Sequence, residues 1–486
     1  MVAANNLQTF TERAIMTEEN QREKTFHRGI HILKVNRELY RRILVITLPI
    51  VIQNLLDSAV NMADVVMMDA VSQASMSAVS LASQAGNIIF MFLFGIGTGM
   101  TMMGAQYWGK GDVSAIEKAQ GIAIRYALII GGFSMAACLV IPETLMRIFT
   151  PDPELITLGA EYLRIWSALI IPWSVATIYL SSLRSTGRVT ICTGVEVMAL
   201  LMNVGLNALF LFVFKMDVVG VALATVISRL TELAVCFVIS TRSKTVKLHL
   251  KPVTEHHKLL ERDFARMCLP AIGNDLAWGI AFSLYSAILG HLSSDAVAAN
   301  AIVGVIRNFG CVLCYGLASA TGIILGQILG AGQHEEAIRT SRILLWLCVA
   351  SGAIGGLLIM ATIPIIVPLA NLTDQAREYL RTMLWINVFY IMGTAVNSPL
   401  IAGAFRAGGD TRFGFWCDLI DMWGWALPVG FLAAFVLKWP VMVVYVLLCT
   451  DEFVKWPWVF RHYYSNKWAV NITRNDVDGD APVGEV

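Results

Sequence analysis

The chain has 486 residues, of which 56% are hydrophobic and 15% are charged, and its mean hydropathy is +0.64. Soluble globular domains contain about 25% charged residues, so this composition excludes a water-soluble globular protein and indicates extensive contact with lipid. The formal net charge of +1 provides no basic field, so we expect no nucleic-acid partner. The cysteines and histidines form no cluster with metal-ligand spacing, so we expect neither a metal site nor a cofactor.

The first 42 residues are polar and basic and lack the apolar core of a signal peptide, which predicts a cytoplasmic leader. Apolar segments long enough to cross a bilayer follow. A backbone in lipid must satisfy its own hydrogen bonds, and the segments lack the alternation of a β-barrel, so they predict helices. The result is an all-α integral membrane protein of about twelve transmembrane helices, near 43–68, 77–105, 118–142, 155–181, 190–214, 217–240, 264–290, 296–328, 339–368, 376–405, 413–437 and 439–460.

Lysine and arginine concentrate in alternate loops, and this bias predicts the orientation of the chain. Both termini are predicted to be cytoplasmic, in a multi-pass protein of the cell (inner or plasma) membrane that contacts the lipid bilayer. The predicted organisation is a leader at 1–42, an amino-terminal six-helix lobe at 43–240, a cytoplasmic connector at 241–262, a carboxy-terminal six-helix lobe at 263–462 and a cytoplasmic tail at 463–486.

The two halves of the chain repeat each other at an offset of 221 residues. The matched positions include a Leu-Pro pair, two glutamines and several glycines: Leu48-Pro49 with Leu269-Pro270, Gly95 with Gly316, Gln106 with Gln327, Gly109 with Gly330, and Gly111 with Gly332. Because six helices return the chain to the same side, the halves form a parallel repeat of two pseudo-symmetric six-helix bundles, related by an axis along the membrane normal.

The first predicted helix carries a polar stripe inside its apolar segment. The spacing of three, four and three places its members on one face: Asn54, Asp57, Asn61 and Asp64. Polar residues also share a face of the fifth predicted helix: Glu196, Asn203 and Asn207. Ionisable groups in a membrane are costly and therefore candidates for function. The stripe suits a cation, and the helix-five amides could ligate that cation, orient Asp64, or simply link helices.

At the 221-residue offset, the stripe corresponds to an acid followed by three aromatic residues: Asp275, Trp278, Phe282 and Tyr285. We expect this face to bind an aromatic or lipophilic cation through cation–π contacts. The alternative is that the aromatic residues only pack. Arg307 lies inside the eighth predicted helix and should have a partner, for which Asp275 is the candidate.

Five further charged residues lie in the last two predicted helices. Asp418 and Asp421 share a face of helix eleven, where they either line the second lobe or cap and pair. For Asp451, Glu452 and Lys455, the close spacing favours a local Glu–Lys pair.

No sequence motif for catalysis or nucleotide binding is present. The chain contains no GxxxxGK[ST], HExxH or GxSxG pattern. We therefore expect a protein that is not an enzyme, and whose energy comes from ion or substrate gradients or from a separate partner.

The ordered motifs of the two halves resemble the multidrug and toxic compound extrusion (MATE) family over about residues 40 to 470. The matching segments are Leu48-Pro49, Ala63-Asp64, 104–111, 184–187, 203–207, 220–229, Leu269-Pro270, 326–332 and 406–412. Each segment is weakly specific alone, and their order, spacing and duplication carry the resemblance.

The resemblance implies two six-helix bundles that open as a V and a function in expelling organic cations and drugs in exchange for Na⁺ or H⁺. It places Asp64 on the first-helix acid that the family uses for cation binding, and Asn203 and Asn207 on its helix-five partners. A helix-seven glutamate of some relatives is Trp278 here, and Asn274-Asp275 is similar to an Asn-Glu pair of another branch, so a sodium site in this half does not carry over.

The sequence thus predicts cation-coupled antiport by alternating access in a monomer. The coupling residues are expected to be Asp64, Asn61, Asp57, Asn203, Asn207 and Glu196. The substrate residues are expected to be Asn274, Asp275, Trp278, Phe282, Tyr285 and Arg307. One alternative is a lipid-linked oligosaccharide flippase of the same superfamily, which would need a strongly cationic cavity; another is a membrane receptor or scaffold that transports nothing.

Overall fold

A computed structural model describes residues 37–57, 59, 60, 67, 73–243, 245–249 and 251–475. The described residues fall in two compact units, one ending at Ile46 and one beginning at Thr47. All regular secondary structure in the described ranges is helical, as predicted. Residues 1–36 of the leader predicted at 1–42 lie outside these ranges, and residues 37–42 begin the first helix.

Eleven helices in the described part of the chain are long and apolar enough to cross a membrane. In chain order they are α1 (Arg37–Asp57), α2 (Gln73–Lys110), α3 (Val113–Val140), α4 (Pro153–Ser185), α5 (Val189–Val213), α6 (Asp217–Arg242), α7 (Lys258–Leu292), α8 (Ser294–Gly330), α9 (His334–Leu369), α10 (Asp374–Phe405) and α11 (Thr411–Val436). Short helical turns lie at Pro142–Arg147 and Lys251–Thr254. The predicted lobe and connector boundaries stay predictions.

The twelfth predicted span is broken into three short helices: α12 (Val441–Leu448), α13 (Asp451–Val454) and α14 (Trp456–Tyr464). At the first break, the Thr450 hydroxyl donates a hydrogen bond to the Leu447 carbonyl at 2.6 Å. At the second, Pro457 occupies the first turn of α14 and has no N–H with which to continue the helix from α13. Asp451 and Glu452 therefore follow the first of two tightened helical turns, and Lys455 lies at the second.

Two of the membrane helices in the second half contain wider, π-helical turns. They lie at Ser398–Phe405 in α10 and at Leu419–Ala426 and Leu432–Val436 in α11. Such turns occur frequently at functional sites, because the extra residue redirects side chains.

The halves meet where α2 and α8 end, and the contacts there are reciprocal. A Cβ atom on Gly109 would lie 2.0 Å from the Gln327 carbonyl oxygen, and one on Gly330 would lie 1.8 Å from the Gln106 carbonyl oxygen. The two contacts are equivalent, because Gly109 corresponds to Gly330 and Gln106 to Gln327 at the 221-residue offset. Only glycine lets the backbones approach this closely.

A second pair of equivalent contacts lies earlier in both helices. A Cβ atom on Gly95 would lie 2.4 Å from Ile272, and one on Gly316 would lie 2.6 Å from Val51. Positions 51 and 272 are again related by the offset. The sequence repeat is therefore a structural pseudo-two-fold relation between α2 and α8.

The segment after α14 packs against these helix ends. Trp468 is fully buried, and the Gln106 side chain donates to the Val470 carbonyl at 3.0 Å and accepts from the Ile472 N–H at 2.8 Å. Arg474 donates two hydrogen bonds to the Asp263 carboxylate. Residues 468–474 thus hold the carboxy-terminal segment to both halves.

Candidate functional site

Two of the residues predicted to bind a cation in the first half, Asn61 and Asp64, lie outside the described residues, and their roles stay predictions. Asp57 is described near the end of α1, where its side chain is half-buried. Its carboxylate is within electrostatic range of two arginines and one glutamate, Arg184, Arg229 and Glu232.

Glu196 forms an ion pair. Arg184 Nη2 donates to both of its carboxylate oxygens, at 2.9 and 3.2 Å. Beside it, Arg229 Nη1 donates to Glu232 Oε2 at 2.7 Å. With Asp57 these described residues comprise three acids and two arginines, which gives a formal charge of −1 when all of them are ionised. Glu196 therefore belongs to a charge network rather than standing as a lone ligand.

The helix-five amides form a short hydrogen-bonded chain. Asn207 Nδ2 donates to Asn203 Oδ1 at 3.3 Å, and Asn203 Nδ2 donates to Thr225 Oγ1 of α6 at 3.2 Å. The chain links α5 to α6, which is the interhelical role that was one of the predicted alternatives. Cation ligation by these amides stays a prediction.

In the second half, the predicted aromatic face of α7 exists. The ring centroids of Trp278 and Phe282 are 4.3 Å apart, and those of Phe282 and Tyr285 are 5.4 Å apart. Phe282 and Tyr285 line a cavity of about 360 Å³, together with Tyr390 and Arg307. The cavity lies among α7, α8, α10 and the end of α12.

Arg307 is held in this cavity by aromatic rings. Its guanidinium lies 5.0 Å from the Phe282 centroid and 5.6 Å from the Tyr390 centroid. These distances are those of cation–π contacts. The cavity therefore contains one fixed positive charge inside an aromatic cage.

The predicted Arg307–Asp275 pair is wrong. Asp275 Oδ1 accepts from Arg406 Nη2 at 2.8 Å, and the same nitrogen donates to Asn274 Oδ1 at 3.0 Å. Each residue has another partner, because the Arg307 guanidinium lies against the Phe282 and Tyr390 rings. The two residues also differ in depth: α7 and α8 are consecutive helices joined at Ser293, and Asp275 lies 18 residues before that residue whereas Arg307 lies 14 after it. The difference of four residues is about 6 Å along a helix.

A buried lysine, Lys455, contacts acids from two segments of the chain. Lys455 Nζ lies 2.9 Å from Asp418 Oδ1, 3.4 Å from Asp421 Oδ2 and 3.7 Å from Glu452 Oε2. The Lys455 side chain is 4% exposed and that of Asp421 is 0% exposed. The predicted local Glu–Lys pair is present, but it is the longest of the three contacts. Asp418 and Asp421 pair with Lys455, the second of the two alternatives. We call Asp418, Asp421, Asp451, Glu452 and Lys455 the Lys455 cluster.

The Lys455 cluster is connected to the residues around it. On one side, Asn274 Nδ2 donates to Asp418 Oδ2 at 2.7 Å, which joins the cluster to the Asp275–Arg406 pair. On the other, the hydroxyls of Tyr285 and Tyr390 each lie 3.5 Å from Asp451 Oδ2. A continuous polar network therefore runs from Asp275 to the aromatic cavity.

Several charged residues of these networks were not predicted as site residues. In the first half they are Arg184, Arg229 and Glu232, and in the second half they are Arg406 and the Lys455 cluster. The available signal was their occurrence in or beside apolar spans, which is costly unless charges are compensated.

Comparison with known proteins agrees with this architecture. The MatE family model matches twice, at residues 49–209 and 270–432. The chain belongs to the MatE family. The two matches coincide with the two halves of the sequence repeat, and the resemblance to MATE transporters is confirmed.

Relatives and solved structures of this family match over most of their length. The "Uncharacterized transporter YisQ" of Bacillus subtilis strain 168 is 25% identical over 87% of this chain and 94% of its own. The "Probable multidrug resistance protein YoeA" of the same strain is 23% identical, with 85% and 91% covered. A solved outward-facing MATE transporter superposes with a TM-score of 0.80 at 19% identity, covering 88% of this chain and 96% of the other. The chain is a multi-pass membrane protein whose relatives are transporters, not enzymes.

Proposed function

We propose that this MATE protein is a secondary active transporter that exports small organic molecules, chiefly organic cations, in exchange for Na⁺ or H⁺ by alternating access. The observation that carries the proposal is the aromatic cavity of the second half and the surplus of acids behind it. An export role for drugs accords with the names of relatives such as YoeA.

The charge balance around the cavity favours a cationic substrate. The cavity and the Lys455 cluster together contain two cations, Arg307 and Lys455, against four acids. The total formal charge is therefore negative, despite the arginine in the cavity wall. An organic cation stacked on Phe282 and Tyr285 would reduce this surplus.

The same balance disfavours a flippase for lipid-linked pyrophosphates. Such a substrate needs several converging cations, whereas Arg307 is the sole cation among the described residues that line the cavity. A receptor or scaffold has no need for buried acids, which are costly in a membrane.

Several elements of the proposal rest on the sequence. The coupling cation is proposed to bind at Asp64 and Asn61, with the amides of α5 and the charge network around Asp57 and Glu196 nearby. We further propose a monomer in the plasma membrane with both termini in the cytoplasm. Reciprocal packing of α2 against α8 supports alternating access, because two equivalent bundles can rock about such an axis.

Efflux from cells tests the proposal. The protein is expressed in bacteria that lack their own drug pumps, and ethidium retention is followed by fluorescence. We expect expression to lower retention, and Phe282→Ala to restore it because the cavity loses the ring beneath Arg307. The matched control is Trp346→Ala on α9, whose side chain is 72% exposed and away from the cavity. Unchanged ethidium retention on expression of the unmodified protein would contradict the proposal for this class of cation.

A further inference from the structure

The Lys455 cluster contains more negative charge than its one lysine compensates. Three carboxylates, two from α11 and one from α13, lie within 4 Å of the Lys455 ammonium, and a fourth, Asp451 of α13, interacts with it electrostatically. With every acid ionised, the formal charge would be three negative units. Uncompensated charge in a buried, low-dielectric site is strongly unfavourable, so the cluster requires additional positive charge.

Asp421 is the member whose compensation is least complete. It is fully buried, and neither of its carboxylate oxygens accepts a hydrogen bond from any described residue. Its Oδ2 faces Lys455 Nζ at 3.4 Å, and its Oδ1 has no contact of this kind. By contrast, Asp418 accepts from both Lys455 and Asn274. A proton on Asp421 would remove one negative charge without needing any new space.

A metal cation fits this site less well than a proton does. Lys455 already occupies the position between Asp418, Asp421 and Glu452, so a metal ion would have to bind beside a like charge. No group of acids, histidines or cysteines with metal-site geometry occurs among the described residues.

The backbone of the cluster is irregular on both sides. Asp421 lies in the π-helical segment of α11, and Asp451, Glu452 and Lys455 lie between the breaks that separate α12, α13 and α14. The cluster thus lies where the regular α-helical hydrogen-bonding pattern of three segments changes.

We propose that the Lys455 cluster is a proton-binding site of the second half, distinct from the predicted Asp64 site, and that its proton competes with an organic cation in the adjacent cavity. The competition between the proton and an organic cation rests on the proposed function. Proton binding by the cluster rests on the geometry of the cluster alone.

The link between site and cavity is short. Asp451 lies 3.5 Å from the hydroxyls of Tyr285 and Tyr390, and both tyrosines line the cavity. A cation in the cavity stabilises the ionised cluster, and a proton on the cluster removes the negative charge that attracts the cation. Among the described residues, the other titratable or charged groups that face the cluster and this link are Arg307, Cys311, Tyr315, Cys417, Tyr445, Cys449 and, through Asn274, Arg406.

Infrared spectroscopy of the reconstituted full-length protein tests for the proton without any ligand. A protonated carboxylic acid has a carbonyl band that shifts on exchange into D₂O. We expect the sodium-free wild-type protein to show this band at neutral pH. The band should weaken in Asp421→Asn and weaken further in Asp418→Asn/Asp421→Asn, because each substitution removes one acid whose charge the cluster must neutralise. The control is Glu143→Gln, which removes an exposed carboxylate of an ion pair with Arg164 outside the cluster. A full band in the double variant, or no band in the wild-type protein, would overturn the proposal.

Proton release measures the competition. Tetraphenylphosphonium is added to the purified protein in weak buffer with a pH indicator. We expect wild type and Glu143→Gln to release protons on binding, and Asp421→Asn to bind the cation with little release. Binding without release in wild type would refute the competition. If wild type does not bind this cation, the cationic-substrate proposal fails, while the infrared result still decides whether the cluster holds a proton.

Discussion

Replacing Lys455 with methionine removes the cation at the centre of the cluster while keeping a long apolar side chain. The lysine contacts three carboxylates at 2.9, 3.4 and 3.7 Å. At an effective dielectric constant of about 20, two opposite unit charges about 3 Å apart attract by about 5 kcal/mol. Desolvation offsets part of this attraction, and removing one partner of a buried pair typically costs about 3–5 kcal/mol. We expect Lys455→Met to lose stability in that range.

The assay is unfolding of the purified protein in mixed micelles, followed by tryptophan fluorescence. Asp421→Asn should lose little stability or gain some, because the amide replaces a carboxyl group that the cluster must otherwise keep protonated, and it leaves Lys455 in place. Acidification should reduce the defect of Lys455→Met, since protonation neutralises the acids that have lost their partner. Stability of Lys455→Met within about 0.5 kcal/mol of wild type, or a defect that grows at lower pH, would refute this reasoning.

Three further changes test other parts of the structure. Gly330→Ala should cost about 1–3 kcal/mol of stability through overpacking, because its Cβ would lie 1.8 Å from a backbone oxygen. The control Gly132→Ala, which has no neighbouring atom within 4 Å, should cost no stability. Equal effects of the two substitutions in the same unfolding assay would contradict the close packing. Arg307→Met should strengthen ethidium binding about tenfold, because it removes the positive charge from the cavity, and weaker binding in a fluorescence titration would count against a cationic substrate. Asp64→Asn should leave thermal unfolding unchanged and abolish gradient-driven efflux, and normal export by this variant would show that the assignment of Asp64 is wrong.

The helical class and the repeat could be predicted from the sequence because both depend on local or periodic patterns. Span length and hydropathy give the helices, and the 221-residue offset identifies the positions that exchange in the structure, such as Val51 and Ile272. The aromatic face of α7 follows from the same offset, because helical spacing alone decides which side chains share a face.

The charge partners could not be predicted, because they depend on the depth and rotation of helices that are distant in sequence. Lys455 has an acid three residues before it, which favoured a local pair, but its shortest contact is with Asp418, 37 residues away. Asp275 likewise has its partner at Arg406, across the second half. Single-sequence patterns identify costly buried charges, but they do not give the tertiary packing that pairs them.

We propose that the protein couples the export of an organic cation to a cation gradient. Its most direct test uses proteoliposomes that contain only this protein and a fluorescent organic cation, with a Na⁺ gradient or a pH gradient imposed separately. We expect at least one gradient to drive transport of the organic cation, and liposomes without protein to show no transport. If neither gradient drives transport, cation-coupled antiport of organic cations is contradicted, and anionic or lipid-linked substrates become the alternative.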